Sequence, residues 1–416
     1  MANVIRADVN PAAIGARAEQ MINTLGSVSA EPNRLIRTFL SPAHRGAADL
    51  VSKWMTDAGL TVSEDALGTV RGSLAGSGPK RLLIGSHIDT VFEAGMFDGP
   101  FGVIAGILAA EHFARIGRPL PFGIDVLAFG DEEGVRYSAT LASSSAAAGH
   151  FDFSTLELVD AEGVSLAEAI KQYGKDPADI AAAAYVPGTA AAYVEVHIEQ
   201  GPVLEYRKQP LGVVNSIAGQ TYLNVELLGE AGHAGTVPML LRRDALAGAA
   251  ETILSAERMA RDTKGEVVAT VGHMHIPAAA SNVIAGTVAL TVDIRSGSDA
   301  ARNAFVEGFK KEIREMADKR HLGLSITTTR NVPTTPCDQA IQDGLAAAVA
   351  SVGGEPLKLA SGAGHDGTAM AKLCPIGMLF VRCRDGISHN PAEYASPSDM
   401  GLAVAALIHF IEGFKP

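Results

Sequence analysis

The chain has 416 residues, of which 47% are hydrophobic, and its formal net charge is −12. A chain of this length is too long to fold around one ordinary hydrophobic core, so we predict a larger and a smaller domain. The acidic balance argues against a nucleic-acid or anionic-membrane partner, because both would need a basic face, and it favours a small-molecule partner.

The amino terminus and the cysteines indicate a cytoplasmic enzyme. Residues 1–20 contain early acids and no long apolar stretch, so they do not predict a signal peptide. No segment is apolar for long enough to predict a membrane span. Cys337, Cys374 and Cys383 are scattered without a C-x-x-C pair, which is typical of buried small hydrophobes in a reducing compartment.

The outer parts of the chain predict an α/β domain. Short apolar runs alternate with segments of helical spacing, which indicates a mixed, mostly parallel sheet with helices on both faces. We expect strands at 81–86, 122–130, 191–197 and 376–382, a helix over 103–115, and a last helix that begins after the N-cap Ser396.

The middle of the chain has the β-α-β-β-α-β order of a ferredoxin-like α+β domain. The elements are expected at 220–228, 243–260, 266–273, 286–294, 301–319 and 323–329. We therefore predict a lid or dimerisation domain, 213–327, inserted into a catalytic domain formed by 1–212 and 328–416.

Five polar clusters follow predicted strands, at the edge where open α/β sheets bind ligands. In the first, GSHIDTV, His87 and Asp89 are two residues apart, so the carboxylate can orient the imidazole. In the second, FDGPFG, Asp98 precedes a helix, where an aspartate either caps a turn or bridges two cations with its two oxygens.

The third cluster, FGDEEG, places three acids at the end of a strongly apolar strand. A pair of divalent cations would supply the counter-charge that their repulsion requires. Adjacent strand residues point to opposite faces, so Glu132 and Glu133 can serve one site only if both lie in the turn. One would then bind metal while the other acts as general base; the alternative is a solvated acidic turn.

The fourth cluster, VEVHIEQGP, supplies His197 and Gln200, and the fifth, GISHNPAE, supplies His389. Together the clusters offer three histidines, one aspartate and one glutamate. This mixture of nitrogen and oxygen ligands suits zinc, manganese, cobalt or nickel. Five such clusters at strand ends favour a metal site over five unrelated structural roles.

The inserted domain adds polar residues suited to substrate binding. His233, between glycines in EAGHAGTVPM, could stabilise an oxyanion. Asn282 can donate and accept hydrogen bonds, and Arg295 offers a fork for a substrate carboxylate, although a structural role is an equal alternative for both. In SGAGHDG, His365 and Asp366 are either exposed or part of a turn that supports the metal site.

In chain order, GSHIDTV, FDGPFG, DEEG, HIEQGPVLE, AGHAGTVPM followed by RRDA, SGAGHD and GISHNPAE resemble the hydantoinase/carbamoylase group of di-zinc aminoacylase-like hydrolases. This group includes N-carbamoyl-L-amino-acid hydrolases, β-ureidopropionases and allantoate amidohydrolases. The resemblance runs from about residue 20 to the carboxyl terminus. HIEQGP and AGHAGTVPM distinguish it from the peptidases of the same superfamily.

The resemblance implies two divalent cations, with zinc favoured and manganese, cobalt or nickel as alternatives. Asp98 would bridge the two ions. The implied ligands are His87, Asp98, Glu133, His197 and His389.

The resemblance also implies roles for the other polar residues. Glu132 is similar to the catalytic base, and Asp89 is similar to the residue that orients His87. The positions similar to substrate-binding residues are Gln200, His233, Asn282 and Arg295. Members of the group usually form homodimers through the small domain, and the histidine equivalent to His233 is thought to reach the partner's active site.

These roles predict an amidohydrolase that cleaves the ureido or amide C–N bond of an N-carbamoyl amino acid. Two cations about 3.5 Å apart would polarise the carbonyl and lower the pKa of a water between them. Glu132 would take the water proton and deliver it to the departing nitrogen. His233 would stabilise the oxyanion, and Arg295 would hold the substrate carboxylate. We also expect the small domain to close on the substrate.

An allantoate amidohydrolase with the same site is the nearest alternative. A dipeptidase or aminoacylase is less favoured, because His197 stands where peptidases of the superfamily tend to use an acid. Glu132 argues against a non-catalytic metal-binding module, and the lack of a G-x-G-x-x-G turn argues against a dehydrogenase. Ser143–Ser145, Arg382 and Arg384 depart from the group's pattern; we expect them to border the substrate pocket, which leaves the substrate open.

Overall fold

The computed structural model describes residues 9–117 and 119–416. The chain divides into a large unit, Met1–Asn215 with Cys337–Pro416, and a small unit, Ser216–Pro336. The sequence places these boundaries at 212/213 and 327/328. The small unit ends later because its last long strand continues to Val332.

The strands of the described residues are β1 (Thr61–Glu64), β2 (Val70–Leu74), β3 (Arg81–His87), β4 (Gly123–Phe129), β5 (Ala190–Ile198), β6 (Leu211–Ile217), β7 (Gly219–Leu228), β8 (Gly232–His233), β9 (Val267–His275), β10 (Val283–Ile284), β11 (Thr287–Ser296), β12 (Gly323–Val332), β13 (Thr335–Pro336), β14 (Leu357–Ser361) and β15 (Ile376–Val381).

The helices are α1 (Pro11–Gly26), α2 (Pro42–Asp57), α3 (Pro100–Ile116), α4 (Ala142–Ala147), α5 (Leu166–Gln172), α6 (Val203–Tyr206), α7 (Ala245–Asp262), α8 (Asp299–Lys319), α9 (Gln339–Ser351), α10 (Gly367–Met370) and α11 (Pro397–Gly413). Short 3₁₀ turns occupy Phe153–Glu157, Pro177–Ala183, Met239–Leu241 and Arg384–Gly386. Across 9–117 and 119–416, no helix combines the length and apolar character that a membrane span requires.

The larger sheet has the strand order β1-β2-β4-β3-β5-β15-β6-β13, and β14 also pairs with β6. Its centre, β4-β3-β5-β15, is parallel, whereas the β1-β2, β2-β4 and β15-β6 pairs are antiparallel. Strand β4 is buried along its whole length, as expected for a central parallel strand. The predicted mixed sheet with a parallel centre is confirmed, and the parallel strands end at one edge.

Helix α3 shows why this unit forms a single large core. It is apolar nearly all round and buried from Pro100 to Glu111, so it suits the interior better than the surface. Gly99 precedes it at φ 82°, and Gly117 ends it in the left-handed region at φ 63°. Side chains from α1, α2, α3, α9 and α11 share this core with the sheet.

The small unit has the predicted β-α-β-β-α-β order. Its four-stranded sheet runs β12-β7-β11-β9 with every neighbour antiparallel, and it packs on α7 and α8. Residues alternate along β11, so Val292 and Ile294 are buried in the helix-side core while Thr291, Asp293 and Arg295 lie on the opposite side. We call this opposite side the polar face of the small unit. The expectation of a ferredoxin-like domain is confirmed.

Candidate metal centre and active site

Three of the predicted clusters meet at the ends of parallel strands. His87 is the last residue of β3, and His197 precedes the last residue of β5. Glu132 and Glu133 lie outside regular structure in the turn after β4. Because β3 pairs in parallel with both β4 and β5, these side chains reach one edge of the sheet. The two imidazoles are each only 1% exposed.

Asp98 lies at the centre of the cluster and presents its two oxygens to different partners. Its Oδ1 lies 3.1 Å from His197 Nε2 and 3.7 Å from His87 Nε2. Its Oδ2 lies 3.1 Å from His389 Nε2. This is the arrangement that a carboxylate needs in order to bridge two cations.

Two sets of donor atoms therefore share Asp98. The first set adds His87 and His197, and the second adds Glu133 and His389; the donor atoms of each set lie within 4.8 Å of one another. Within the second set, Glu133 Oε1 is 3.6 Å from His389 Nε2. Mixed nitrogen and oxygen donors in two adjoining sets fit a pair of divalent cations.

His197 gives an independent test of this fit. Its Nδ1 lies 2.9 Å from the main-chain oxygen of Ile198. We assign the ring proton to Nδ1, which leaves a lone pair on Nε2. Nε2 is buried and makes no hydrogen bond among the described residues, because Asp98 Oδ1, which lies 3.1 Å away, is itself an acceptor. A cation would provide the partner that this nitrogen lacks.

The pKa values show that the cluster favours a central positive charge. Burial alone would raise the pKa of Asp98, but its close contacts with the three histidines hold that pKa well below its ordinary value. The hydrogen bond with Asp98 raises the pKa of His389 to about 9. Burial raises the pKa of Glu133 to about 7. A divalent cation would stabilise the same carboxylates in place of these protons.

Asp89 supports both an imidazole and the acidic turn. Its Oδ1 lies 3.4 Å from His87 Nδ1, and its main-chain oxygen lies 3.1 Å from the same nitrogen. Its two carboxylate oxygens also accept hydrogen bonds from the main-chain N–H groups of Glu132 and Glu133, at 3.1 Å each. The sequence suggests the contact with His87, but the anchoring of the turn is visible only in the tertiary structure.

Glu132 stands at the edge of the cluster. One of its carboxylate oxygens lies within 4.8 Å of donor atoms of His87 and Glu133. Burial raises the pKa of Glu132 well above its ordinary value; His87 opposes this shift and Glu133 adds to it. A half-buried carboxylate beside these two donor sets is placed to exchange a proton with a bound water.

Gln200 contacts the proposed bridging carboxylate. Its Nε2 donates to Asp98 Oδ2 at 2.7 Å and lies 3.3 Å from Ser388 Oγ. Gln200 and His389 both adopt left-handed backbone conformations, with φ of 56° and 53°. Such strained conformations in non-glycine residues concentrate at functional sites.

Two residues of the last cluster were missed by the sequence interpretation. Glu393 is 4% exposed, and its Oε1 accepts from the main-chain N–H groups of Phe97 and Asp98 at 2.8 and 3.0 Å. Ser388 Oγ lies 2.9 Å from Asp98 Oδ2 and 2.8 Å from Glu393 Oε2. Their position in GISHNPAE beside His389 was the available signal.

A buried polar network underlies His197. Glu195 is fully buried and accepts hydrogen bonds from Ser86 Oγ at 3.2 Å, Tyr193 Oη at 3.1 Å and the Gly367 N–H group at 3.0 Å. It was also missed, although the alternation in YVEVH places Tyr193, Glu195 and His197 on one side of β5.

The SGAGHDG segment forms part of this support. The ring of His365 packs edge-on against the ring of His197, with centroids 4.5 Å apart, and His365 Nε2 lies 2.7 Å from Ser361 Oγ. His365 and Asp366 are 1% and 0% exposed. The structure agrees with the interpretation of this segment as a turn that supports the metal site. It does not agree with the interpretation that His365 and Asp366 are exposed.

The remaining predicted residues lie in the small unit. His233 is exposed on β8, and its Nδ1 accepts from the Gly235 N–H group at 3.0 Å, so we assign the ring proton to Nε2. The main-chain oxygen of Asn282 accepts from the Ala234 N–H group at 2.9 Å, which brings Asn282 beside His233. Arg295 lies near the end of β11 on the polar face.

The residues that depart from the group's pattern have structural partners. Arg382 forms a two-point ion pair with Asp399 in the first turn of α11, with both N–O distances 3.0 Å. The Arg384 guanidinium lies 4.6 Å over the Tyr394 ring. Ser143 Oγ accepts from the main-chain N–H group that precedes the acidic turn, at 3.2 Å. These contacts hold the loops around the cluster, and substrate contact is not needed to explain them.

Gly99 provides a test of how tightly this cluster is packed. A Cβ at Gly99 would lie 2.4 Å from the His87 ring, and the residue has φ 82°. We expect Gly99→Ala to weaken zinc binding by about tenfold or more, because the ring must move. Gly163→Ala is the matched control: φ is 80° and nothing lies within 4 Å, so it shares only the backbone strain of about 1 kcal/mol. Equal zinc affinity in both variants, measured by competition with a chelator, would contradict the placement of His87.

Comparison with known proteins places the chain in a family. The model of peptidase family M20/M25/M40 matches residues 83–413. An allantoate deiminase from Arabidopsis thaliana is 40% identical and spans 97% of this chain and 83% of its own length. An N-carbamoyl-L-amino acid amidohydrolase from Geobacillus stearothermophilus is also 40% identical, over 95% of this chain and 98% of its own.

A solved structure agrees with these relatives. A hydantoinase/carbamoylase family amidase from Burkholderia multivorans superposes with a TM-score of 0.89 at 30% identity, covering 95% of this chain and 97% of that one. The resemblance predicted from the motifs is thereby confirmed. The chain belongs to peptidase family M20/M25/M40, a family of metal-dependent hydrolases, and is related there to amidohydrolases that act on C–N bonds other than peptide bonds.

Proposed function

We propose that this chain hydrolyses the ureido C–N bond of an N-carbamoyl amino acid at a site for two divalent cations. The observation that carries the proposal is the position of Asp98 between two donor sets, one with His87 and His197 and the other with Glu133 and His389. The 40% identity to an N-carbamoyl-L-amino acid amidohydrolase supports the choice of substrate class.

Each of these residues has a separate role in the proposed reaction. Cations held by His87, His197, Asp98, Glu133 and His389 would polarise the substrate carbonyl and acidify a water. Glu132 takes the proton of the attacking water at its carboxylate and passes it to the departing nitrogen. Asp89 holds the His87 ring and the acidic turn in place during this transfer. The products are the free amino acid, ammonia and carbon dioxide.

The small unit supplies the groups that hold the substrate. His233 donates to the oxyanion, Asn282 contacts the ureido group, and Arg295 binds the carboxylate. Gln200 contacts the substrate from the large unit. The small unit closes during turnover and pairs with a second copy of the chain in a homodimer. Zinc is the favoured cation, with manganese, cobalt and nickel as alternatives, and the enzyme works in the cytoplasm.

Allantoate is the second candidate substrate, because a relative named allantoate deiminase is as similar as the carbamoylase relative. The test loads the protein with zinc or manganese and measures ammonia release from N-carbamoyl-L-amino acids, β-ureidopropionate and allantoate. We expect the highest kcat/KM for an N-carbamoyl-L-amino acid. A clear preference for allantoate would replace the first candidate by the second, and cleavage of dipeptides alone would reject both.

A further inference from the structure

The guanidinium of Arg295 is held by an internal carboxylate on the polar face of the small unit. Arg295 Nε lies 3.2 and 3.0 Å from the two oxygens of Asp293, and its Nη2 lies 2.8 Å from Asp293 Oδ2. The two residues are next-but-one neighbours on β11 and therefore share a face. Their side chains are 28% and 26% exposed. The pair is a two-point, charge-assisted contact rather than a loose surface ion pair.

A third side chain fixes the same guanidinium from the neighbouring strand. Tyr222 stands directly opposite Asp293 in the register of β7 with β11. Its hydroxyl accepts a hydrogen bond from Arg295 Nη2 at 3.2 Å. The phenol proton can still be donated. Asp293 and Tyr222 therefore hold the plane of the guanidinium from two strands.

Such fixing has a consequence for ligand binding. An arginine side chain has many rotamers, and a ligand that binds a mobile one must pay for ordering it. An arginine already held along its Nε edge loses less freedom when an anion binds. The carboxylate of Asp293 also balances the charge of Arg295. Asp293, Tyr222 and Arg295 together therefore select an anion by geometry more than by net charge.

We propose that Asp293 and Tyr222 are positioning residues that fix Arg295 for recognition of the substrate carboxylate. This inference rests on the proposed function and deepens it, because it assigns selection of the acid over its neutral amide to these three residues. Asp293 and Tyr222 hold Nε and Nη2, so that the substrate carboxylate meets the guanidinium from its Nη1 side. Tyr222 completes the receptor with its hydroxyl.

The test compares Asp293→Asn with the wild type on an N-carbamoyl amino acid and on its primary carboxamide. The variant keeps the size of the side chain but loses the charge-assisted pair. We expect KM for the acid to rise about tenfold with kcat within about threefold, and KM for the amide to stay unchanged. Tyr222→Phe keeps the ring and disturbs packing less than Asp293→Asn does; it should raise KM for the acid about threefold.

Two further variants separate positioning from a general effect on the sheet. Thr291→Ala lies on the same strand and the same face and should leave both KM values unchanged. In an Arg295→Lys background, Asp293→Asn should add little, because the fork that it positions is already lost. Thermal melting of each variant checks that the small unit is folded.

The possible results separate the inference from the proposed function. A wild type that releases no ammonia from any ureido acid rejects the proposed function. An active wild type with unchanged or lower KM in both Asp293→Asn and Tyr222→Phe rejects only the positioning role. Parallel increases for acid and amide also reject it, because selection of the carboxylate would then lie elsewhere.

Discussion

Glu132→Gln is expected to lower kcat by roughly 10²- to 10⁴-fold, the range of a general acid–base contribution, while the metal content stays unchanged. Glutamine keeps the shape of the side chain but cannot accept the water proton. Each of the two sets around Asp98 has three donors without Glu132, so the cations should remain. The measurement pairs steady-state kinetics on an N-carbamoyl amino acid with metal analysis of the same sample.

The control for this prediction is Glu157→Gln. Glu157 is an exposed acid in a 3₁₀ turn of the large unit, and its change removes the same charge from a residue that belongs to none of the donor sets. Its kcat should equal that of the wild type. If Glu132→Gln also kept ordinary activity, Glu132 would have no part in proton transfer. If it lost its metal, Glu132 would be a ligand instead of the base.

Asp98→Asn is expected to prevent binding of the paired cations and to reduce activity by more than a hundredfold. Loss of even an outer partner of a metal ligand typically costs about 10–100-fold in metal affinity or activity, and Asp98 faces both donor sets directly. The asparagine also leaves the three histidines without their shared carboxylate. Metal analysis after gel filtration should find fewer than two ions per chain.

Asp57→Asn serves as the control for this change. Asp57 is an exposed acid at the end of α2 that pairs only with Lys53 in the described residues, and such surface pairs contribute little. It should keep two ions and full activity. An Asp98→Asn enzyme that retained two ions per chain would show that other donors bridge them. The same result would contradict the bridging role of Asp98, on which the proposed function depends.

The elements that the sequence predicts well are those with strong local signals. The N-cap of α11 is an example: Ser396 accepts from the Asp399 N–H group and Pro397 occupies the first turn, as their residue types indicate. Strand β11 is another, because its alternation corresponds residue by residue to burial. Both depend on neighbours within a few positions, so a single sequence is enough to find them.

The contacts that the sequence did not predict join residues that are far apart in the chain. Glu393 accepts hydrogen bonds from the main-chain N–H groups of Phe97 and Asp98, which lie 296 and 295 positions before it. Arg382 could not be assigned to Asp399 or to a substrate from its residue type alone, because a guanidinium suits both. Local pattern does not say which distant partner a polar side chain meets.

By itself, the sequence determined the class of chemistry and the architecture. Imidazoles and carboxylates follow apolar strands in the order of the hydantoinase/carbamoylase motifs, and parallel strands must deliver such residues to one edge. The tertiary structure alone decided the finer arrangement: which donors share Asp98, what anchors the acidic turn, and that Asp293 holds Arg295. The reason is physical. Strand periodicity specifies the side of the sheet that a residue faces, whereas hydrogen-bonding distances between polar atoms depend on how the whole chain packs.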